Sequence, residues 1–508
     1  MRAPKRVLLF VLLIVAVSSL LAAGRSSQPT SLLIRGGQIV DGTGAAPRPA
    51  DVRIVGDTIT EVGTGLQPRA SERVIDATGK TVAPGFIDIH SHADRGVDEH
   101  PDMASQVRQG ITTTVVGQCG DSDLPVDAFY GRIGRLRPAI NLATLVGHGA
   151  VRSLVMGGDF RRAATPAEIE TMKALIDRAM RDGALGLSSG LEYDPGFYAK
   201  PQELWALATV AAKHGGFYAS HVRDEENGAL DAWREAIEVG RRAKIPVEIS
   251  HIKLASKPVW GKAAEGLRIL EAAQREGIRV MADWYPYTYW QSSIYVLIAD
   301  RDFENRKKWE TGLEEIGGPG NVLVTNFRPD PKQNGKTIAE IAAARGKDPV
   351  SLIIEMIREA GPGIGIIATA MDEADLATFF AHPQTLICSD GTLSGSHPRG
   401  SNAFPRVLAR YVREKTLVSL QEGVAKMTGR TASQLGLQDR GTLEVGRKAD
   451  VVVFDPATIE DRGTPRDAAQ SPVGISHVIV NGELVLDDGS LTAARPGRPI
   501  RRQSWTPY

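Results

Sequence analysis

The residues best suited to chemistry in this chain are histidines placed behind short apolar runs. The segment Pro84-Gly85-Phe86-Ile87-Asp88-Ile89-His90-Ser91-His92 sets two imidazoles one residue apart. On a β-strand, residues i and i+2 face the same side, so His90 and His92 can present both rings to one metal ion. Further on, Ala219-Ser220-His221-Val222-Arg223 and Ile249-Ser250-His251-Ile252-Lys253 repeat the order Ser, His, apolar, cation. A lone histidine at a strand end is commonly a hydrogen-bonding residue of the scaffold. These two are 30 residues apart, a typical βαβ repeat, and so reach one face of a sheet. Thr385-Leu386-Ile387-Cys388-Ser389-Asp390 ends an apolar run in a carboxylate. Asp390 either caps the following turn or is compensated by a nearby dication. His148 and His397 read as structural or supporting residues.

These side chains need a scaffold that brings distant strand ends together. Between residues 85 and 435, short apolar strands alternate with helical patterns, the signature of a parallel sheet covered by helices. Residues 168–180, 202–214, 230–242 and 264–275 carry apolar positions at three- and four-residue spacing. Strand candidates end near His92, Cys119, His148, Tyr193, Arg223, Lys253, Tyr287 and Asp390, which is the number of strands that closes a TIM-type (β/α)8 barrel. The stretch from Tyr287 to Cys388 is too long for one crossover. We expect an inserted subdomain over about residues 291–338, at the barrel mouth, as a lid or pocket wall. The aromatic run Trp284 to Trp290 either forms an acyl pocket or anchors that insertion. Residues 31–84 and 436–508 have the texture of short antiparallel strands and are expected to join in one composite β-sandwich domain.

Composition narrows the ligand. Sixty basic residues balance sixty acidic ones, so no charge excess marks a nucleic-acid or membrane-surface binder. The ligand is expected to be a small molecule, and oligomeric state leaves no trace in the sequence. Arg2, Lys5 and Arg6 precede an apolar run from Val7 to Ala23, which reads as a secretory signal over residues 1–24. An uncleaved anchor, the alternative, would need about 20 apolar residues. The mature protein is then exported, periplasmic or secreted, without stable membrane association. Cys119 and Cys388 are the two cysteines. In an oxidising compartment they would suggest a disulfide. Their strands are separated by a third, which puts the backbones about 9.6 Å apart, beyond the about 7 Å that a disulfide spans.

With these segments, Gly117-Gln118-Cys119-Gly120, Gly186-Leu187-Ser188-Ser189-Gly190-Leu191-Glu192-Tyr193, Tyr285-Pro286-Tyr287 and Gly446-Arg447-Lys448-Ala449-Asp450, the chain resembles the amidohydrolase superfamily. More narrowly it resembles the D-aminoacylase (N-acyl-D-amino-acid deacylase) family, over nearly the whole mature sequence. Most binuclear amidohydrolases bridge their metals with a carboxylated lysine on the fourth strand, and residues 184–193 contain no lysine. The resemblance implies instead a thiolate bridge from Cys119 and one or two zinc ions. Cys119, His221 and His251 would hold the tighter ion, and His90, His92, Cys119 and Asp390 the second. It implies Asp390 as general base and acid, and Lys253 as the cation for a substrate carboxylate, with Tyr193 and Tyr285 as further contacts. Arg223 also follows a ligand histidine by two positions and is a second candidate, though pairing with Asp224 or Glu225 would occupy it.

The implied activity is zinc-dependent hydrolysis of the amide bond of an N-acyl amino acid, of D configuration, or of a dipeptide-like substrate. Two alternatives remain at this point. A cyclic-amide hydrolase of the hydantoinase or dihydroorotase type would need the bridging lysine. A non-catalytic barrel retained for binding would be expected to have lost ligands, and all six positions are filled.

Overall fold

Both ends of the chain meet in one sheet. The computed structural model describes residues 31–502, so the signal-like segment lies outside the described residues. Ser31–Ile39, Arg48–Val55, Thr58–Gly63, Arg73–Asp76 and Thr81–Pro84 join Val451–Phe454, Ile475–Val480, Glu483–Asp487 and Ser490–Leu491 in a nine-stranded sheet. A register shift between Ile34 and Gly37 lets Ser31–Ile39 pair first with Arg73–Asp76 and then with Thr81–Pro84. The seam between the two chain ends is antiparallel, with Val453 opposite Val82.

The run Val451–Phe454 is apolar without alternation because both its faces are buried. Val451 and Val453 pack with Leu32, Ile34 and Val52 inside the terminal module, whereas Val452 and Phe454 join the core that contains the barrel. Asp450, just before this strand, locks the two bodies together. Its Oδ1 accepts from the Asn481 amide at 2.8 Å, and its Oδ2 accepts from Asn141 at 3.2 Å and pairs with buried Arg440. The module's C-terminal end departs from the expected span. Past Leu491 the chain returns to the barrel, where the Ile500 amide donates to Leu142 O at 2.7 Å and Arg502 to Gly183 O at 3.0 Å.

Eight parallel strands form the barrel: β1 (Phe86–Asp88), β2 (Ile111–Val116), β3 (Asn141–Thr144, continued by Val146–Gly147), β4 (Gly186–Gly190), β5 (Phe217–His221), β6 (Val247–Ile249), β7 (Val280–Trp284) and β8 (Thr385–Ile387). The ring closes just past the ends of β8 and β1. There the Asp390 amide donates to His90 O and the His92 amide to Gly391 O, both at 2.8 Å. Ser389 adds two hydrogen bonds to the buried Asp88 carboxyl. The helices fall where the periodicity put them. Pro166–Arg181, for example, is set by a capping box between Thr165 and Glu168 and buries Met172, Ile176 and Met180.

The insertion after β7 is larger than the sequence suggested. Tyr289–Ser293, Gly365–Thr369 and Val322–Asn326 form a three-stranded antiparallel sheet with Gly365–Thr369 in the middle, so the subdomain extends about 30 residues beyond Ile338. Ile338–Arg345 and Pro349–Ala360 have the apolar spacing of crossover helices. The crossover itself is Glu373–Ala381, capped by Asp372, which leads directly into β8. No helix among the described residues is long and apolar enough to cross a membrane.

Two stability measurements test this architecture. Asp450→Ala leaves buried Arg440 with Asp439 alone and strips the Asn481 amide and Asn141 of their acceptor, and is expected to lower the unfolding free energy in urea by about 1–3 kcal/mol. Asp57→Asn, at the part-exposed pair with Arg498, is expected to change it by less than about 1 kcal/mol. At the opposite end of β8 from the histidine cluster, fully buried Lys426 donates to Thr385 O at 2.9 Å, and burial lowers its pKa to about 7. The unfolded chain therefore binds the extra proton between about pH 7 and the ordinary lysine value. Stability from this group rises with pH across that window, by up to about 1.4 kcal/mol per pH unit. Lys426→Met should flatten that slope, and an unchanged slope would contradict it.

Candidate metal centre

At the C-terminal ends of the barrel strands, the Cys119 sulfur lies among four imidazoles. Its Sγ is 3.5 Å from His90 Nε2, 3.6 Å from His251 Nε2, and 3.9 Å from both His92 Nε2 and His221 Nδ1. Asp390 Oδ1 is 3.3 Å from His92 Nε2 and 3.5 Å from His90 Nε2. The six residues come from the ends of β1, β2, β5, β6 and β8, the face where such barrels carry their sites. Three of them take left-handed backbone angles, with φ of 52° at Cys119, 36° at His251 and 49° at Asp390. That conformation is costly for residues with a Cβ and persists at functional sites where surrounding structure enforces it.

Close backbone contact explains two of the glycine motifs. A Cβ on Gly190 would come within 2.1 Å of Cys119 O, and one on Gly120 within 2.7 Å of the Gly190 amide. Strand ends β2 and β4 can therefore touch behind the cysteine. Ser188 Oγ donates to Gly117 O at 2.6 Å and accepts from the Gly120 amide, which fixes the turn that carries Cys119.

The outward nitrogens of three rings are each held by a carboxylate. His221 Nε2 meets Glu192 at 2.8 Å, His90 Nδ1 meets Asp283 at 3.3 Å, and His251 Nδ1 lies 2.9 Å from Glu225 with Lys253 Nζ closer at 2.6 Å. At His221 and His90 such partners place the proton on the outer nitrogen and turn the inner lone pair toward the cluster. His221 Nδ1 and His251 Nε2 then face each other across 2.9 Å. Two imidazole nitrogens at that separation, beside a thiol and a carboxylate, form a donor set that fits a cation.

The electrostatics agree. Burial disfavours a thiolate, yet His90, His221 and His251 hold Cys119 well below the ordinary thiol value. Burial likewise opposes charge on His221, and the surrounding Glu225, Cys119 and Glu192 still raise it to about 10. Positive charge is thus favoured at this point. Burial disfavours the Asp390 carboxylate as well, but Arg399 and the neighbouring histidines keep it well below the usual range.

A cavity of about 980 Å³ opens onto the cluster, and Lys253, Tyr193 and Tyr285 all line it. Lys253 Nζ lies 2.6 Å from Glu225 Oε1, and the Tyr193 ring packs 4.4 Å from that of His221. Arg223 is elsewhere: it pairs with Glu235 at 2.9 Å and donates to Phe197 O and Ala199 O. Arg223 and Lys253 both lie past the ends of their strands, so tertiary partners rather than strand alternation set where each points. His148 binds Glu203, and His397 accepts from the Arg399 amide while its Nε2 faces Tyr289 O, so both support the scaffold. The aromatic run divides: Trp284 is buried against Phe380 and Tyr411, while Tyr285 and Trp290 line the cavity. Cys119 and Cys388 are both free thiols.

Sequence reading missed Arg399, whose Nη1 lies 2.6 Å from Asp390 Oδ2, and the carboxylates Glu192, Glu225 and Asp283. The available signal for Arg399 was its place two residues after His397 in the loop that follows Asp390.

Comparison with known proteins gives a consistent picture. The family model described as "Amidohydrolase family" matches residues 73–296 and 301–486. A D-aminoacylase from Alcaligenes xylosoxydans xylosoxydans is 36% identical, over 94% of this chain and 98% of its own length. An N-acyl-D-glutamate deacylase from the same organism is 38% identical, over 93% and 97%. The crystal structure of an N-acyl-D-glutamate deacylase from Bordetella bronchiseptica, complexed with zinc and a phosphonate inhibitor, superposes with a TM-score of 0.83. It is 36% identical, covering 94% of this chain and all of that one.

If Glu192 sets the lone pair of His221, Glu192→Ala should weaken zinc binding by about 10- to 100-fold in a chelator competition. Unchanged affinity in a folded variant would remove Glu192 from the centre.

Proposed function

This chain belongs to the amidohydrolase family, in its D-aminoacylase (N-acyl-D-amino-acid deacylase) branch, and we propose that it hydrolyses N-acyl-D-amino acids to a free D-amino acid and a carboxylate. The observation that carries this reading is a cysteine sulfur among four imidazoles, on a barrel whose fourth strand has no lysine. Cys119, His221 and His251 would hold one zinc ion, and His90, His92, Cys119 and Asp390 a second. Bound there, zinc supplies Lewis acidity that polarises a carbonyl and acidifies water.

The protein's own groups supply the rest. Arg399 holds Asp390 Oδ2, leaving Oδ1 facing the histidines. Kept as a carboxylate, Asp390 accepts the proton of the attacking water at Oδ1 and delivers it to the leaving nitrogen. One wall of the cavity is suited to the substrate's α-carboxylate. The Tyr285 hydroxyl has no partner among the described residues, and the Arg399 guanidinium and Lys253 Nζ lie 4.9 Å and 5.7 Å from its ring centre. Tyr193, packed on His221, narrows the space around the scissile bond. The signal-like N-terminus supports action outside the cytoplasm, on small molecules.

Chelated protein is expected to lose hydrolysis of N-acetyl-D-amino acids and to regain it with zinc, with D substrates turned over in preference to L. Asp390→Asn should retain zinc at the Cys119 site while kcat falls by about 10²- to 10⁴-fold. Zinc-loaded enzyme that releases no amine from any N-acetyl-D-amino acid would refute the reading.

A further inference from the structure

Beneath the metal centre, the barrel interior holds a carboxyl that does not line the cavity. Glu248, in the middle of β6, is fully buried. The strand register sets it opposite Ala219 on β5 and Met281 on β7. Asp283 follows Met281 by two positions, so it projects from the same side of the sheet, one step closer to the histidines. The two carboxyls are hydrogen-bonded there.

Donors around this pair are few. Asp283 Oδ1 accepts from the His251 amide at 2.7 Å, and Oδ2 lies 3.3 Å from His90 Nδ1. Glu248 is worse served. Gln434 Nε2, from the helix Gly429–Leu435, lies 3.5 Å from Oε2, and Oε1 has no donor among the described residues. Exposed Arg279, just before β7, donates to Ser433 O at 2.9 Å, and no ion pair involves Glu248 among the described residues.

An ionised carboxylate buried on one long amide contact, with a second carboxylate against it, is costly. One proton between the two removes both penalties, because a carboxylic acid donates where a carboxylate only accepts. That proton belongs on Glu248. Burial and the neighbouring Asp283 push the Glu248 carboxyl well above its ordinary value. Burial disfavours the Asp283 carboxylate too, yet His90 and the hydrogen bond from Glu248 keep it below its own.

We propose that Glu248 is a positioning residue of the metal centre: as a neutral acid it donates to Asp283, and so keeps one Asp283 oxygen on the His90 ring and the other on the His251 amide. This rests on the zinc site of the deacylase reading and adds a layer behind it. Partners outside the ligands orient them, and here the partner of His90 is itself oriented by a buried acid.

Glu248→Gln and Glu248→Leu separate the donor from the volume it fills. In a chelator competition, Glu248→Gln is expected to bind zinc within threefold of the unaltered protein, because its amide still donates to Asp283. Glu248→Leu is expected to bind at least tenfold more weakly. Infrared difference spectra of the zinc-loaded proteins at about pH 8, unaltered minus Glu248→Gln, should show the carbonyl band of a protonated carboxylic acid. A carboxylate band in its place overturns the proposal. So does Glu248→Gln binding zinc as weakly as Glu248→Leu, or Glu248→Leu binding it as tightly as the unaltered protein. If Glu248→Leu does not fold, the infrared spectrum and the Glu248→Gln affinity decide. Neither measurement depends on turnover, so protein that meets these expectations yet releases no amine overturns the deacylase reading alone.

Discussion

The structure depends on the convergence of imidazole lone pairs, a thiolate and a carboxylate on one small volume. His221 and His251 present nitrogens 2.9 Å apart, with the Cys119 sulfur beside them. Such an arrangement is repulsive unless positive charge lies among the donors, so the surrounding protein has to hold it in place. Left-handed backbone angles at Cys119, His251 and Asp390 are part of that cost. The hydrogen bonds that close the ring at β8 and β1 run through His90, His92, Asp390 and Gly391. Barrel closure and metal-ligand geometry are therefore one structural fact.

A ring of carboxylates behind the histidines carries the same logic outward. Asp283, Glu192 and Glu225 each bind the outer nitrogen of a different ring, and Glu225 also binds Lys253. Lys253, which lines the cavity, and the ligand His251 are thus tied to a single carboxylate. On the other side, Arg399 holds Asp390 and is itself positioned by His397, which accepts from its amide. Cation placement and metal-ligand placement are coupled at both ends of the cavity.

Much of this was legible in the sequence where function sits on the ends of regular strands. His90, His92, His221, His251 and Asp390 follow apolar runs, and the repeated Ser-His order marks two neighbouring strands. Positions beyond a strand's end were harder to read. Arg223 and Lys253 occupy matching places in their motifs and both lie past their strand ends, yet only Lys253 lines the cavity, because Glu235 and the Phe197 and Ala199 carbonyls hold Arg223 elsewhere. Glu192, Glu225 and Asp283 gain their roles from tertiary pairing that no local pattern records. The full extent of the insertion was hard to read, since its central strand Gly365–Thr369 comes after two helices that resemble a crossover. The Gly446 to Asp450 motif belongs to docking: its aspartate is buried between the barrel and the terminal sheet.

The claim that Cys119 is a ligand at the heart of the site is the one on which the rest turns. X-ray absorption spectroscopy at the zinc edge, on protein loaded with one equivalent of metal, addresses it directly. The account predicts a sulfur scatterer at about 2.3 Å together with nitrogen scatterers at about 2.0–2.1 Å. A shell of nitrogen and oxygen alone, with no sulfur, would contradict it.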